Sequence, residues 1–274
     1  MGCGSSDAGR AATPGAPPMQ QQQMMQQNNM QGGQQMQMQG GQQMQMQQKQ
    51  QMQMGGEEIE ITYFGFGNGR AGPLQFLLTQ AKAPWKKNGL TFEEWGARKS
   101  SGKHAEFGAL PIVNTGKAEF DLSIPAMRRL AMTYGLYPSN DWKKAAIVDM
   151  VAETYSDVFN KWSGTLINEK IGNDEKAKIF TESMQEGGVA FKFFKVVEAQ
   201  LTKNGGRFLT GNNMTFADCC MASLIYDYIK NPSGPFTGLL QPMVTSTFPR
   251  FETYAQELGK EFAVYLQNRP KTPF

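Results

Sequence analysis

The chain has 274 residues, with 27 Lys and Arg against 24 Asp and Glu, one His and three Cys. The formal charge of +3, with no basic stripe, gives nucleic-acid binding no footing. A single His104 with Cys3, Cys219 and Cys220 supplies neither metal-ligand spacing nor a disulfide framework, and it weakens any hydrolase built on a catalytic His; no apolar run reaches the roughly 18 residues of a membrane helix.

Residues 1–56 contain no Val, Ile, Leu, Phe, Trp or Tyr, and their only charges are Asp7, Arg10 and Lys49. Such a segment buries too little to offset its ordering entropy and is expected to be a disordered tail. It opens Met-Gly-Cys-Gly-Ser-Ser: Gly2 with Ser6 fits N-myristoylation, and Cys3 is placed for palmitoylation. One acyl chain binds membranes marginally and two bind stably, so the pair predicts a protein tethered to the cytoplasmic face of a membrane. Further on, Gly32 to Gln39 and Gly40 to Gln47 are the same octet, Gly-Gly-Gln-Gln-Met-Gln-Met-Gln, in tandem, read as a flexible spacer.

The first folded domain is expected over residues 57–136. Ile59 to Phe64 alternates apolar and polar residues and predicts a strand. After a glycine-rich turn, Ala71 to Gln80 predicts a helix with Pro73 in its first turn. Leu90 to Trp95 is a second strand candidate, and His104 falls in the surface loop that follows. A third strand begins at Leu110-Pro111-Ile112-Val113, with Ala118 to Asp121 as its hairpin partner, and a helix from Ser123 or Ile124 to Tyr134 closes at Gly135. Pro111 is either an ordinary trans proline at a strand start or a cis one that turns the Leu110 backbone toward the end of the first strand. Gly67-Asn68-Gly69-Arg70-Ala71-Gly72 is a literal dinucleotide fingerprint, but a doubly wound sheet needs more strand-helix units, and strand signal ends after Tyr134.

Residues 137–274 carry helical periods throughout and predict an all-helical domain. Trp142 to Trp162 is long and amphipathic, with Tyr155, Phe159 and Trp162 on one stripe, either core packing or one wall of an apolar pocket. Lys176 to Leu201 predicts a second long helix. Thr215 with Asp218 has capping-box spacing ahead of an apolar run to Tyr228, and Phe248 to Gln267 gives further helix.

Thr62-Tyr63-Phe64, Gly69-Arg70-Ala71, Leu110-Pro111-Ile112, Ser123 and Thr215-Phe216-Ala217-Asp218 occur in the order seen in cytosolic glutathione transferases. Over residues 57–274 the chain most resembles the sigma class, which includes glutathione-dependent prostaglandin D synthases; Phe248-Pro249-Arg250 and Arg269-Pro270-Lys271-Thr272 also resemble that class. The resemblance implies an α/β thioredoxin-like domain followed by an all-α domain, a homodimer, and glutathione as substrate with no metal. It implies that Tyr63 is catalytic, activating the thiol for attack on an apolar electrophile, with isomerase or peroxidase side activities within the family's range. Arg70 would stand at the pocket mouth, Leu110 before a cis Pro111 would pair with the cysteinyl part, and Leu122 and Ser123 would hold the γ-glutamyl end. Glu153 would reach the partner subunit's glutathione, and Phe66, Tyr155, Phe159 and Trp162 would wall the electrophile pocket. Three departures stand out: the turn after Tyr63 is longer and richer in glycine, Gly72 replaces a common Glu, and Leu122 replaces a common Gln. The Trp and Lys that usually contact glutathione are not evident, Lys103 being the nearest candidate. The alternative is a non-catalytic scaffold that kept the fold, or a membrane-tethered structural protein.

Overall fold

The computed structural model describes residues 58–103 and 106–274; the expected acylation site at Gly2 and Cys3, the Gln/Met repeats and His104 lie outside the described residues. Four strands form one sheet in the order β2-β1-β3-β4. Strand β1 (Ile59–Phe64) lies where its alternation predicts, with Ile59 and Ile61 buried. Helix α1 (Gly72–Gln80) then crosses over to β2 (Trp85–Leu90), which pairs with β1 in parallel from Ile59↔Trp85 to Phe64↔Leu90. Strand β3 (Ile112–Asn114) runs antiparallel to β1 and forms a hairpin with β4 (Glu119–Asp121). Helix α3 (Ser123–Tyr134) ends at Gly135, whose φ of 74° is the left-handed cap that glycine adopts freely.

The second strand departs from its sequence expectation. Residues expected as strand at Leu90 to Trp95 instead begin helix α2 (Phe92–Ser100). Thr91 Oγ1 accepts from Glu94 N at 3.1 Å, and Glu94 Oε2 accepts from Thr91 N at 2.7 Å. This capping box satisfies two donors at the helix start and overrides the short apolar pattern.

Helices make up the remainder. Helix α4 (Trp142–Ile167) is capped by Asp141, whose Oδ1 accepts from Lys144 N. The single helix expected at Lys176 to Leu201 is two, α5 (Asn173–Ser183) and α6 (Val189–Asn204). The break falls at Gly187-Gly188, where a Cβ on Gly188 would meet the Ser183 carbonyl oxygen at 2.4 Å. Helix α7 (Phe216–Ser223) runs on as a π-helical segment, Leu224–Ile229, followed by α8 (Thr237–Thr247), α9 (Pro249–Glu261) and α10 (Ala263–Asn268). Sheet plus helices is the thioredoxin-like and all-helical arrangement expected, and no doubly wound sheet forms among the described residues. Helices α1 and α7 pack closely: Cβ of an alanine at Gly72 would lie 2.4 Å from Ser223 Oγ and 2.6 Å from Asp227 Oδ2. A side chain such as the Glu that Gly72 replaces therefore has no room here, and the buried Asp227 of the π-helical segment brings a carboxylate to the first turn of α1.

Candidate active site

The C-terminal end of β1 delivers Tyr63 to a glycine turn that folds back onto it. Gly69–Ala71 forms a 3-10 turn, and Arg70 N donates to Tyr63 Oη at 3.1 Å. Gly69 makes this approach feasible: its φ is +44°, and a Cβ there would sit 2.4 Å from Tyr63 Oη. Because the oxygen already accepts the Arg70 N–H, the phenol's own proton is left for another acceptor. Burial raises the Tyr63 pKa above its ordinary 10.0, against the smaller lowering by the Arg70 N–H and the Arg70 charge. The hydroxyl is therefore a protonated donor throughout the neutral range.

Around Tyr63 the expected residues divide. Leu110-Pro111 is a cis peptide, and Leu110 packs with Ile112 in a small cluster that also takes in Tyr63, Phe64 and Trp95. Leu122 adopts φ 68° and ψ 134°, a region costly for a non-glycine residue, by about 1–3 kcal/mol. That conformation leads directly into buried Ser123 at the first position of α3, where backbone N–H groups face outward. Pro125 removes one of these donors, which leaves Ser123 N–H, Ile124 N–H and the Ser123 hydroxyl. The end of β1, the Leu110-Pro111 edge and the start of α3 thus all belong to the sheet's β1-β3-β4 side.

Arg70 reaches the other way. Its Nη2 donates to Asn160 Oδ1 on α4, and its guanidinium lies 5.0 Å from the centroid of the Phe159 ring. The four residues expected to wall an electrophile pocket are not brought together. Trp162 has no exposed surface; it packs on Phe180, Phe194 and Tyr228 and donates to Ser183 Oγ at 2.9 Å. Tyr155 is equally enclosed, so these two are core rather than an open wall, and of that stripe Phe159 alone meets a site residue, through Arg70. Phe66 is 41% exposed and stacks on Phe64, with Phe92 tilted against it at 5.0 Å and Phe274 edge-on. The aromatic surface beside Tyr63 is therefore Phe64, Phe66, Phe92 and Phe274. Glu153 is exposed on another face of α4, in a cavity bordered by Met150 and Thr154 and by Lys192 and Val196 of α6.

Three features escaped the sequence reading. Trp95 of α2 borders Leu110, and the Lys99 ammonium lies 5.8 Å from its ring centroid. This i,i+4 pair became readable once α2 was a helix; Lys103 is exposed beyond its end, its carbonyl accepting from Arg98 Nε. The second feature is a polar lock on the glycine turn. Asn68 Nδ2 donates to Asp227 Oδ1 at 3.0 Å, Arg269 Nη1 donates to the same oxygen at 2.6 Å, and Ser223 Oγ donates to Asp227 Oδ2 at 2.7 Å. The third is the return of the last residues: Asn68 N donates to Phe274 O at 2.8 Å and Asn68 Nδ2 to Thr272 Oγ1 at 3.2 Å.

Comparison with known proteins agrees with this architecture. Residues 156–265 match the family model described as glutathione S-transferase, C-terminal domain. The glutathione S-transferase P 1 of Xenopus laevis is 26% identical over 78% of this chain and 96% of its own length. The probable glutathione S-transferase 6 of Caenorhabditis elegans is 25% identical over 75% of this chain and 94% of its own. Among solved structures, the monomeric Na-GST-3 from the hookworm Necator americanus superposes with a TM-score of 0.63 at 21% identity, covering 79% of this chain and 100% of that one. The chain accordingly has the glutathione S-transferase fold, and its residues 156–265 match the C-terminal domain of that family.

Proposed function

We propose that the chain is a glutathione transferase in which Tyr63 stabilises the thiolate of bound glutathione. The observation that carries this reading is the Arg70 N–H donated to Tyr63 Oη, which directs the phenol's proton to an external acceptor. A thiol with pKa near 8.5 is only about 3% ionised at pH 7, and the thiolate is the nucleophile. A hydrogen bond from Tyr63 to the sulfur favours the anion; the thiol proton passes to solvent, and the sulfur lone pair attacks the electrophile. A two-unit drop in the thiol pKa needs roughly 2.7 kcal/mol, within reach of a charge-assisted hydrogen bond with a nearby cation. Leu110 beside the cis Pro111 would pair with the cysteinyl backbone, and Leu122 and Ser123 would hold the γ-glutamyl carboxylate at the start of α3. Lys99 and Trp95 are suited to the glycyl end, and the electrophile would lie against Phe64, Phe66 and Phe274. Tyr63→Phe tests the reading: conjugation at pH 7 should fall about tenfold to a hundredfold, with the thiolate absorbance of bound glutathione titrating about one to two units higher. Unchanged titration and rate would remove Tyr63 from the role, and glutathione binding without turnover of any electrophile would favour the scaffold.

The sigma-class assignment rests on the ordered motifs of the sequence. Pairing into a homodimer, with Glu153 facing the partner's glutathione, is tested by sedimentation at micromolar concentration, where a monomer would count against it. Acylation at Gly2 and Cys3, and with it a cytoplasmic protein held at a membrane, is tested by Gly2→Ala, which should release the protein to the soluble fraction.

A further inference from the structure

The glycine turn has more backbone freedom than its task at Tyr63 allows. Gly65, Gly67 and Gly69 alternate through it, and glycine loses more conformational freedom on ordering than any other residue. Between Gly67 and Gly69 the one side chain is that of Asn68, which is buried. Asn68 stands at the N-cap of the Gly69–Ala71 turn, where Asn is favoured because its side chain ordinarily accepts from the turn's own N–H groups. Here it makes no such bond. Its Nδ2 instead donates away from the turn, to Asp227 Oδ1 at 3.0 Å and Thr272 Oγ1 at 3.2 Å. Its backbone N donates to Phe274 O at 2.8 Å, and its carbonyl accepts from Ala71 N at 2.9 Å and Gly72 N at 3.0 Å. Two residues on, Arg70 N donates to Tyr63 Oη.

The anchor of this tie is itself fixed. Asp227 is 1% exposed, and its carboxylate accepts from Arg269 Nη1 and Ser223 Oγ besides Asn68. A buried ion pair adds little net stability over well-packed apolar groups, because desolvation offsets the attraction. What apolar groups in its place could not do is aim an acceptor at the Asn68 amide. Geometry at the turn, more than stability, is what Asp227 contributes, and Lys87 Nζ steadies the preceding residue by donating to Gly67 O at 2.6 Å.

We propose that Asn68 is a positioning residue for the chemistry at Tyr63, with Asp227 as its anchor: their bond keeps Arg70 N–H on Tyr63 Oη, and so keeps the phenol's proton directed at the glutathione sulfur. This rests on the role read above for Tyr63.

The test uses the full chain carrying isotope-labelled arginine. In Asn68→Ala, Asp227 keeps Arg269 and Ser223, so no buried charge is left unpaired. Hydrogen exchange at the Arg70 amide should rise about tenfold or more, while the Arg129 amide inside α3 stays within about twofold. The thiolate absorbance of bound glutathione should titrate about half a unit or more higher, a change that a merely structural role would not produce. Asn68→Ala added to Tyr63→Phe should shift that titration no further, since the tie acts only through the tyrosine. Thr272→Val carries the test if Asn68→Ala fails to fold. It removes one acceptor of the Asn68 amide and the hydroxyl that donates to Phe274 O at 3.1 Å, and Arg70 exchange should rise about threefold. Unchanged Arg70 exchange in the folded variants overturns the proposal. So does faster exchange with an unmoved titration in a chain where Tyr63→Phe moves it. A titration that Tyr63→Phe itself leaves in place would refute the role of Tyr63, and the proposal with it; the exchange measurement, which needs no glutathione, tells the two failures apart.

Discussion

Replacing Gly72 by Ala sets helix propensity against packing, and the structure decides the sign. The backbone there is ordinary helix, φ −51° and ψ −54°, so propensity alone favours Ala by up to about 1 kcal/mol. The added methyl would lie 2.4 Å from Ser223 Oγ and 2.6 Å from Asp227 Oδ2. Neither oxygen is free to retreat: Ser223 Oγ donates to Asp227 Oδ2, and Asp227 Oδ1 is held by Arg269 and Asn68. Overpacking of this kind costs about 1–3 kcal/mol, and a weakened buried hydrogen bond adds about 1 kcal/mol. The net loss is about 1–3 kcal/mol, or roughly 2–12 °C in Tm for a folded unit of this size. Urea and thermal unfolding give both numbers. Ser223→Ala in the same chain removes the nearer clash, so the double variant should fall short of additivity by about 1 kcal/mol. A Gly72→Ala protein as stable as the wild type, or more so, would refute the argument that α1 and α7 are locked at this point.

Two other outcomes follow from the buried polar and ionisable groups. Asp218 Oδ1 accepts from Leu209 N and Tyr254 Oη, and its Oδ2 accepts from Thr215 N and Thr215 Oγ1, all at 2.8–3.0 Å. Asp218→Asn turns an amide donor on two of these donors in either orientation and should cost about 2–4 kcal/mol in urea unfolding, far more than a surface Asp→Asn. At high pH, burial raises Tyr226 to about 12, raises Tyr155, Tyr228, Tyr254 and Tyr265 above 10, and raises Cys219 and Cys220 above 9. The unfolded chain releases these protons from about pH 8.5 for Cys and about pH 10 for Tyr, while the folded chain keeps them. The urea midpoint should hold below that range and fall above it, by up to about 1.4 kcal/mol per pH unit for each ionising group; a flat midpoint to pH 11 would contradict the burial.

Local chemistry was what the sequence made legible. The alternation of Ile59 to Phe64 predicted β1 to the residue, and Gly135 marked the end of α3, because each signal is decided within a few residues. Leu90 to Trp95 misled because apolar residues at 90, 92 and 95 fit a short strand or a helical turn equally, and the Thr91–Glu94 capping box settles the matter. Tyr155 and Trp162 carried a correct helical stripe, but a stripe does not reveal whether a face meets a cavity or, as here, Phe180 and Phe194. Asp227 lay furthest out of reach: its partners Asn68 and Arg269 are 159 and 42 residues away. Such a pairing is a property of the packed fold and leaves no periodic trace.

The turn beside Tyr63 is finished by residues that emerge late in synthesis. Asn68 bonds to Thr272 across 204 positions, and its backbone N–H is held by Phe274. At about 5–20 residues per second, a ribosome exposes β1 roughly 10–40 s before this segment exists. Over that interval the growing chain has its sheet strands and Tyr63 but not the clasp on Gly67-Asn68. Buried Phe251, Tyr254, Leu258 and Phe262 emerge scarcely earlier, so the core and the clasp that adjoins Tyr63 would be completed in the same late interval.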